Sequence, residues 1–293
     1  MFIFFKYFLE VKTHAQEFKI IPSFNILKFI DLHFTIAKLA HHLKAIRPII
    51  TSDGKININT SFLKKKLKFL KNSDIIDVGA ESSRPYSNPI SIKEEIKRLS
   101  LFIKIKESID NILSIDSYKY DVIKYALDNG FHIINDITGG GRNHSNIKLA
   151  AEYSVPIIIM HMQGKPQNMQ VNPKYDNLID NIVNFFEERI KVAKEYGISD
   201  DNIIIDPGIG FGKSLENNIE IIKNIKTFKK LGFKLLLGHS RKQFLQYNND
   251  TPSERMSASI GVSAYAAMNG VDILRVHDVE ETISMLNTFM KVT

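Results

Sequence analysis

The chain has 293 residues, room for one large domain with an extension, and its 44% hydrophobic and 24% charged residues exclude disorder and collagen-like order. A formal charge of +7 from 39 basic and 32 acidic side chains leaves an anionic partner open, and the absence of cysteine excludes disulfides, thiolate nucleophiles and cysteine-ligated metals. No run approaches the roughly 18 uninterrupted apolar residues of a membrane span, and the opening "MFIFFKYFLEVK" breaks at Lys6 without a small-residue cleavage site, so a cytoplasmic protein is expected.

In chain order, residues 1–45 form an atypical N-terminal extension. Within it, 24–44 keeps Leu27, Ile30, Phe34, Ala37 and Leu43 on a rough helical stripe, which predicts a helix. His41 and His42 stand at no metal-binding spacing. "IRPIIT" (46–51) predicts a first strand. "LKKKLKFLK" follows, with Leu63, Leu67 and Leu70 at helical spacing; it reads as an amphipathic helix with a solvated lysine face rather than a nucleic-acid surface.

From Ser73 onward one unit repeats: a short run rich in Ile and Val, a polar or glycine stop, then an amphipathic stretch. The runs fall at 74–79, 111–116, 132–136, 156–161, 202–208, 234–240 and 272–278, and the clearest helical stretch lies at 176–197. Near-continuous apolar strands separated by helices predict a parallel sheet. With 46–51 as the eighth strand, residues 46–293 make an α/β fold of the (β/α)8 TIM-barrel kind. A doubly wound sheet would carry a glycine-rich phosphate loop after its first strand, and none is found there. "IIIDPGIGFGKS" (203–214) ends like a phosphate loop, but Pro207 stands where that loop needs its first glycine.

Polar residues gather at the strand ends: Asp77, Asp116, Asn135, His161, Asp206, Ser240 and His277, on the face where such barrels hold their sites. Asp116, Asn135 and Asp206 offer acceptors to a ligand rich in N–H donors, with Met160, Met162 and Phe211 as an apolar slot for a flat ring. Helix capping is the alternative for each Asp taken singly. A second group, Ser240, Arg241, Lys242, Arg275 and His277, suits phosphate oxygens and a departing diphosphate. A metal-dependent hydrolase built on His161, His239 and His277 is a further reading, and it needs a tighter ligand set.

The segments "DVGAESSRP" (77–85), "SIDSYK" (114–119), "INDITGG" (134–140), "MHMQGKPQNMQ" (160–170), "IIIDPGIGFGKSLENN" (203–218), "GHSRKQF" (238–244) and "RVHDVEET" (275–282) resemble, in order, the motif series of the dihydropteroate synthase family. The likeness covers residues 46–293. It implies a transferase of folate biosynthesis that joins a dihydropterin methyl diphosphate to p-aminobenzoate and releases diphosphate with Mg²⁺ assistance, as a homodimer, with no nucleic-acid or membrane partner. It implies that Asp116, Asn135, Asp206 and Lys242 hold the pterin, and that Met160, Phe211 and Gly238 shape its pocket. Arg275 would stack over the ring and, with His277 and Ser83, bind the diphosphate. Ser240, Arg84 and Pro85 would line the p-aminobenzoate side, Asp77 would close the second strand of the same wall, and Lys213 would reach across the mouth.

The first-strand motif departs from the family: in "AIRPIITSDGK" (45–55) Ala45 stands at the family's metal-contacting Asn and has no oxygen to offer. A catalytically impaired pterin-binding protein is therefore the alternative expectation. A pterin-dependent methyltransferase module is a third, against which the "SSRP" and "SRK" segments speak.

Overall fold

The protein is described by a computed structural model that covers residues 72–83, 87–104, 111–248 and 250–292, with the backbone of 2–6 and 25–31. Its strands are β1 (Phe2–Lys6), β2 (Asn25–Asp31), β3 (Ile75–Gly79), β4 (Ile112–Asp116), β5 (Ile133–Asp136), β6 (Ile157–Met160), β7 (Ile203–Asp206), β8 (Lys234–Leu237) and β9 (Ile273–Val276). All seven strands expected from Ser73 onward are present. Each pairs in parallel with the next from β3 to β9, and the helices lie between them in sequence. These are α1 (Ile92–Ile103), α2 (Tyr120–Asp128), α3 (Ser145–Tyr153), α4 (Leu178–Glu195), α5 (Leu215–Lys223), α6 (Ile225–Lys229), α7 (Met256–Met268) and α8 (Val279–Val292).

The edges of β3 and β9 are joined through the N-terminal strands, which closes the ring. Phe4 and Leu27 both stand opposite Ile75, and Phe2 and Asn25 both stand opposite Ile273. The helix expected over 24–44 is corrected here, because 25–31 is extended. "NILKFID" serves a helical stripe or an apolar strand equally well, and pairing with β3 and β9 decides between them. The strand expected at 46–51, the lysine-rich helix near 60–72 up to its last residue, and Ala45 lie outside the described residues.

Strand alternation divides the apolar side chains into two sets. Outward residues such as Ile76, Leu113, Ile134, Ile159, Ile205, Leu237 and Leu274 pack with the helices into the main core. Inward residues Ile75, Ile112, Ile133, Ile158, Ile204, Leu236 and Ile273, one from each strand β3 to β9, form a separate apolar layer inside the barrel. The helices are fixed at the mouth by short caps: Ser91 accepts from Glu94 N, and Asn177 from Asp180 N. At α5 a reciprocal cap joins Ser214 Oγ to Asn217 N at 3.2 Å and Asn217 Oδ1 to Ser214 N at 3.0 Å. The residue that gave the phosphate-loop look to "GKS" is therefore a helix cap.

Candidate active site

Two residues beyond the apolar layer, the same alternation points a second layer inward: Asp77, Ser114, Asn135, Met160, Asp206, Gly238 and Arg275. The barrel thus has an apolar floor and a polar storey above it at the C-terminal mouth. Six of these seven were candidates from sequence. Ser114 was not, though its place two residues before Asp116 gives it the same face; its Oγ is buried with no hydrogen-bond partner among the described residues.

Arg275 gathers the acids from neighbouring strands. Its Nη2 donates to Asp116 Oδ2 at 2.7 Å and to Asp77 Oδ2 at 3.1 Å, and Asn135 Nδ2 donates to the same Asp77 oxygen at 3.0 Å. Asp77 and Asp116 are 0% and 4% exposed, so these are charge-assisted bonds away from water. Asp206 belongs to the same cluster: burial pushes its carboxyl up, while the Gly208 N–H, Lys242, Arg275 and Lys213 pull it down.

The loop after β7 is shaped by its glycines. Gly208, Gly210 and Gly212 have φ of +68°, +79° and +63°, a region costly to side-chain-bearing residues. Gly208 N donates to Asp206 Oδ1 at 2.8 Å. A Cβ on Gly208 would meet His161 O at 2.0 Å, one on Gly212 would meet Gln163 O at 2.5 Å, and one on Gly210 would touch Lys242 Cδ at 3.0 Å. Gly232 provides the control, since it has φ +87° with nothing within 4 Å of an added Cβ. Gly232→Ala is expected to cost about 1–2 kcal/mol and Gly208→Ala at least about 2 kcal/mol more, read from denaturant midpoints. Equal losses would show that the loop yields freely.

Lys213 turns inward, which corrects the expectation that it spans the mouth. Its Nζ lies 3.0 Å from His161 Nδ1 and donates to the carbonyls of Phe211 at 3.0 Å and His161 at 3.2 Å. Three acceptors inside the protein hold this ammonium better than an open mouth could. Burial pushes it down to about 7, against the pull of Asp206. Burial and the nearby Lys213 push His161 down to about 3, so its ring is neutral and accepts at Nδ1.

Lys242 reaches the cluster from the loop after β8. Its Nζ bonds the Ile209 carbonyl and lies 4.5 Å from the centroid of the Phe211 ring. Burial pushes this ammonium too down to about 7, with Asp206 opposing. Phe211, Met160, Met169 and Ile137 form an apolar cluster with Tyr118 and Met162 against it, beside the polar layer. The sequence reading found three of its members and missed Ile137, Met169 and Tyr118.

At the ends of β8 and β9, Ser240 Oγ lies 3.0 Å from His277 Nδ1 and accepts from His277 N at 3.1 Å. Ser240 therefore orients His277. Arg241, in the left-handed region at φ +57°, pairs through Nε with Asp278 Oδ2 at 2.9 Å. His239 is buried against α7, where Nε2 lies 3.0 Å from Ser259 O and 2.9 Å from Ser263 Oγ. With His161 and His239 both engaged elsewhere, the hydrolase reading loses its ligands. Among the described residues no three His, Asp or Glu side chains could hold a metal. The segment that carries the family's metal-contacting position, 45–55, lies outside the described residues.

Ser83 is half-buried, while Arg84 and Pro85 lie outside the described residues. A buried carboxylate that the sequence reading missed, Asp136, accepts from Thr138 N at 2.7 Å, Thr138 Oγ1 at 2.6 Å, Asn146 Nδ2 at 2.9 Å and Gly140 N at 3.0 Å. It organises the loop after β5. Among the described residues no helix is long and apolar enough to cross a membrane.

A parallel barrel with a polar storey over an apolar floor defines a TIM-barrel enzyme with its site at the C-terminal mouth. More narrowly, the chain belongs to the pterin binding enzyme family, which matches residues 52–277. It is 40% identical over 232 residues to the dihydropteroate synthase of Clostridium beijerinckii, covering 78% of this chain and 84% of the relative. It is 39% identical over 214 residues to that of Escherichia coli, covering 72% and 76%. Among solved structures, the Yersinia pestis dihydropteroate synthase in a sulfonamide complex superposes with a TM-score of 0.75 at 33% identity, covering 80% of this chain and 86% of the other. The Thermus thermophilus enzyme in complex with 4-aminobenzoate gives 0.73 at 31%, covering 79% and 89%. The impaired pterin-binding alternative draws no support from these relatives.

Proposed function

We propose that the barrel mouth makes 7,8-dihydropteroate: it joins a dihydropterin methyl diphosphate to p-aminobenzoate and releases diphosphate. The observation that carries this reading is the convergence on Arg275, which donates to Asp116 and Asp77 and lies in the field of Asp206. Carboxylates from separate strands thus gather around one guanidinium. The pterin's planar N–H edge would be held by Asp116, Asn135 and Asp206, with Lys242 on its oxygen or ring nitrogen. Met160, Phe211 and Gly238 bound the ring. Arg275, released from the acids, would lie over the ring and with His277 and Ser83 face the diphosphate. Ser240 would border the p-aminobenzoate side, and the family likeness alone assigns Arg84 and Pro85 there. Lys213 acts indirectly, by fixing the carbonyl of Phe211.

The chemistry is a substitution at the exocyclic methylene. The C–O bond to diphosphate breaks, the electron-rich pterin ring carries the cationic methylene, and the aniline nitrogen forms the new C–N bond and gives up a proton. The protein contributes positioning and charge stabilisation without a covalent intermediate. Mg²⁺ is proposed as an assistant to the departure; bound with the substrate, it would offset the negative charge of the diphosphate.

The assay is p-aminobenzoate consumption coupled to diphosphate release, and absence of both in the intact chain would overturn the reading. Within it, His277→Ala is expected to lower kcat by about 10²–10³ and to leave binding of a pterin lacking diphosphate nearly unchanged. Equal losses in both would remove His277 from the leaving-group side. A homodimer is proposed through α7, whose exposed Ser257, Ala258, Gly261, Tyr265 and Met268 make a shallow, weakly polar stripe.

A further inference from the structure

Asp116 and Asn135, two acceptors assigned to the ring, are register partners across β4 and β5. At the tip of this pairing Ser117 N donates to Asn135 O at 3.3 Å. Beyond it the two loops are bridged from behind by one amide side chain. Asn146, the second residue of α3, donates through Nδ2 to Asp136 Oδ2 at 2.9 Å and to Tyr118 O at 3.1 Å. Its two amide hydrogens thus serve one loop each. Asn146 and Asp136 are both 0% exposed, so the bridge is made away from solvent.

Asp136 passes the hold into the loop after β5. Its Oδ1 takes both donors of Thr138, and its Oδ2 accepts from Gly140 N beside Asn146. Ile137, between Asp136 and Thr138, belongs to the apolar slot with Met160, Met169 and Phe211, and Tyr118 packs against that slot. The bridge therefore ties together two loops that each carry one polar and one apolar residue of the ring site. On its other side the Tyr118 turn is held toward β3 and α1: Tyr118 Oη donates to Glu81 Oε1 at 2.8 Å, and Lys119 Nζ bonds Glu81 Oε2 at 2.5 Å and Glu95 Oε2 at 2.7 Å. Asn146 supplies the hold toward β5. It bonds none of the residues assigned to the substrates, so it is not catalytic.

We propose that Asn146 is a positioning residue for ring recognition: by bonding Asp136 and the Tyr118 carbonyl at once, it sets Asp116 against Asn135 and Tyr118 against Ile137. This rests on the reading of the barrel mouth as a pterin site. A rigid N–H edge must meet its acceptors together, and hydrogen bonds are good only over about 2.7–3.2 Å, so acceptors at the wrong separation cannot both be used. Misplacement by about 1 Å costs on the order of 10²-fold.

The test uses Asn146→Leu, Asn146→Asp and Asn146→Ser in the intact chain. Leu removes both donors at similar volume, Asp sets a second carboxylate against Asp136, and Ser, the milder change, keeps one donor. Asn146→Leu and Asn146→Asp are expected to raise the calorimetric Kd of a dihydropterin about tenfold or more, and KM for the pterin diphosphate with it. KM for p-aminobenzoate and kcat at saturating pterin should stay within about threefold of the parent. Asn146→Ser should show the same split in smaller measure. A role in folding alone would instead lower the active fraction and hence kcat, leaving the Kd of the folded molecules as it was. Hydrogen exchange at the Gly140 amide needs no activity: it should quicken in Asn146→Leu while the Ile134 amide of β5 stays protected. Losses shared equally by the two substrates, or an unchanged dihydropterin Kd beside quickened exchange at Gly140, would overturn the proposal. A parent chain that binds no dihydropterin would overturn the reading beneath it, whereas a parent that binds, with all three variants binding equally well, would overturn this proposal alone.

Discussion

Asp206→Asn is expected to weaken binding of a dihydropterin by about 10²–10⁴-fold. Two charge-assisted hydrogen bonds to the ring's N–H edge, each worth about 1.5–3 kcal/mol, become weaker neutral ones. The effect is large because this carboxylate is 4% exposed, with no water to replace it. It also answers three cations, Lys213, Lys242 and Arg275. Removing that anion weakens the field around them but breaks no direct ion pair, so any stability change should be small beside the affinity loss. Calorimetric titration with a dihydropterin and denaturant unfolding measure the two separately. An affinity within a few-fold of the parent would take Asp206 out of ring recognition.

Arg275→Met should lower kcat by about 10²–10³, since the guanidinium is assigned to the leaving diphosphate. It should also destabilise the ligand-free chain by about 3–5 kcal/mol, because Asp77 and Asp116 lose their shared cation. A double variant separates the effects. Adding Asp77→Asn to Arg275→Met removes one of the stranded carboxylates, so it should recover part of the stability and none of the turnover. A cycle in which the two substitutions add without coupling would show that the 3.1 Å contact to Asp77 carries no energy.

The barrel was legible because its strands are nearly uninterrupted runs of Ile, Val and Leu with polar stops, and no helix of that length hides so few polar residues. The polar storey was legible for a related reason. Once Ile75, Ile133, Ile204 and Ile273 are placed inward, period two sends Asp77, Asn135, Asp206 and Arg275 to the same side. Contacts between distant segments were not legible. Lys213 could be placed at the mouth but not turned, because its acceptors are two carbonyls and a ring nitrogen on loops that meet only in the fold. The Glu81–Lys119 pair spans 38 residues, and neither partner stands out in a chain with 39 basic side chains. "NILKFID" failed for want of a decisive period, and its neighbours supplied what its own pattern lacked.

The hold of Arg275 on Asp116 resembles the grip proposed for the substrate. A guanidinium and the amino-pyrimidinone rim of a pterin are both flat, rigid combs of nitrogen-bound hydrogens, so on the proposed reading entry of the ring would exchange one comb for another. The displaced arginine would then be at liberty to swing its charge toward the incoming polyanion. Recognising the heterocycle and recruiting the cation that draws off its leaving group would become the same event.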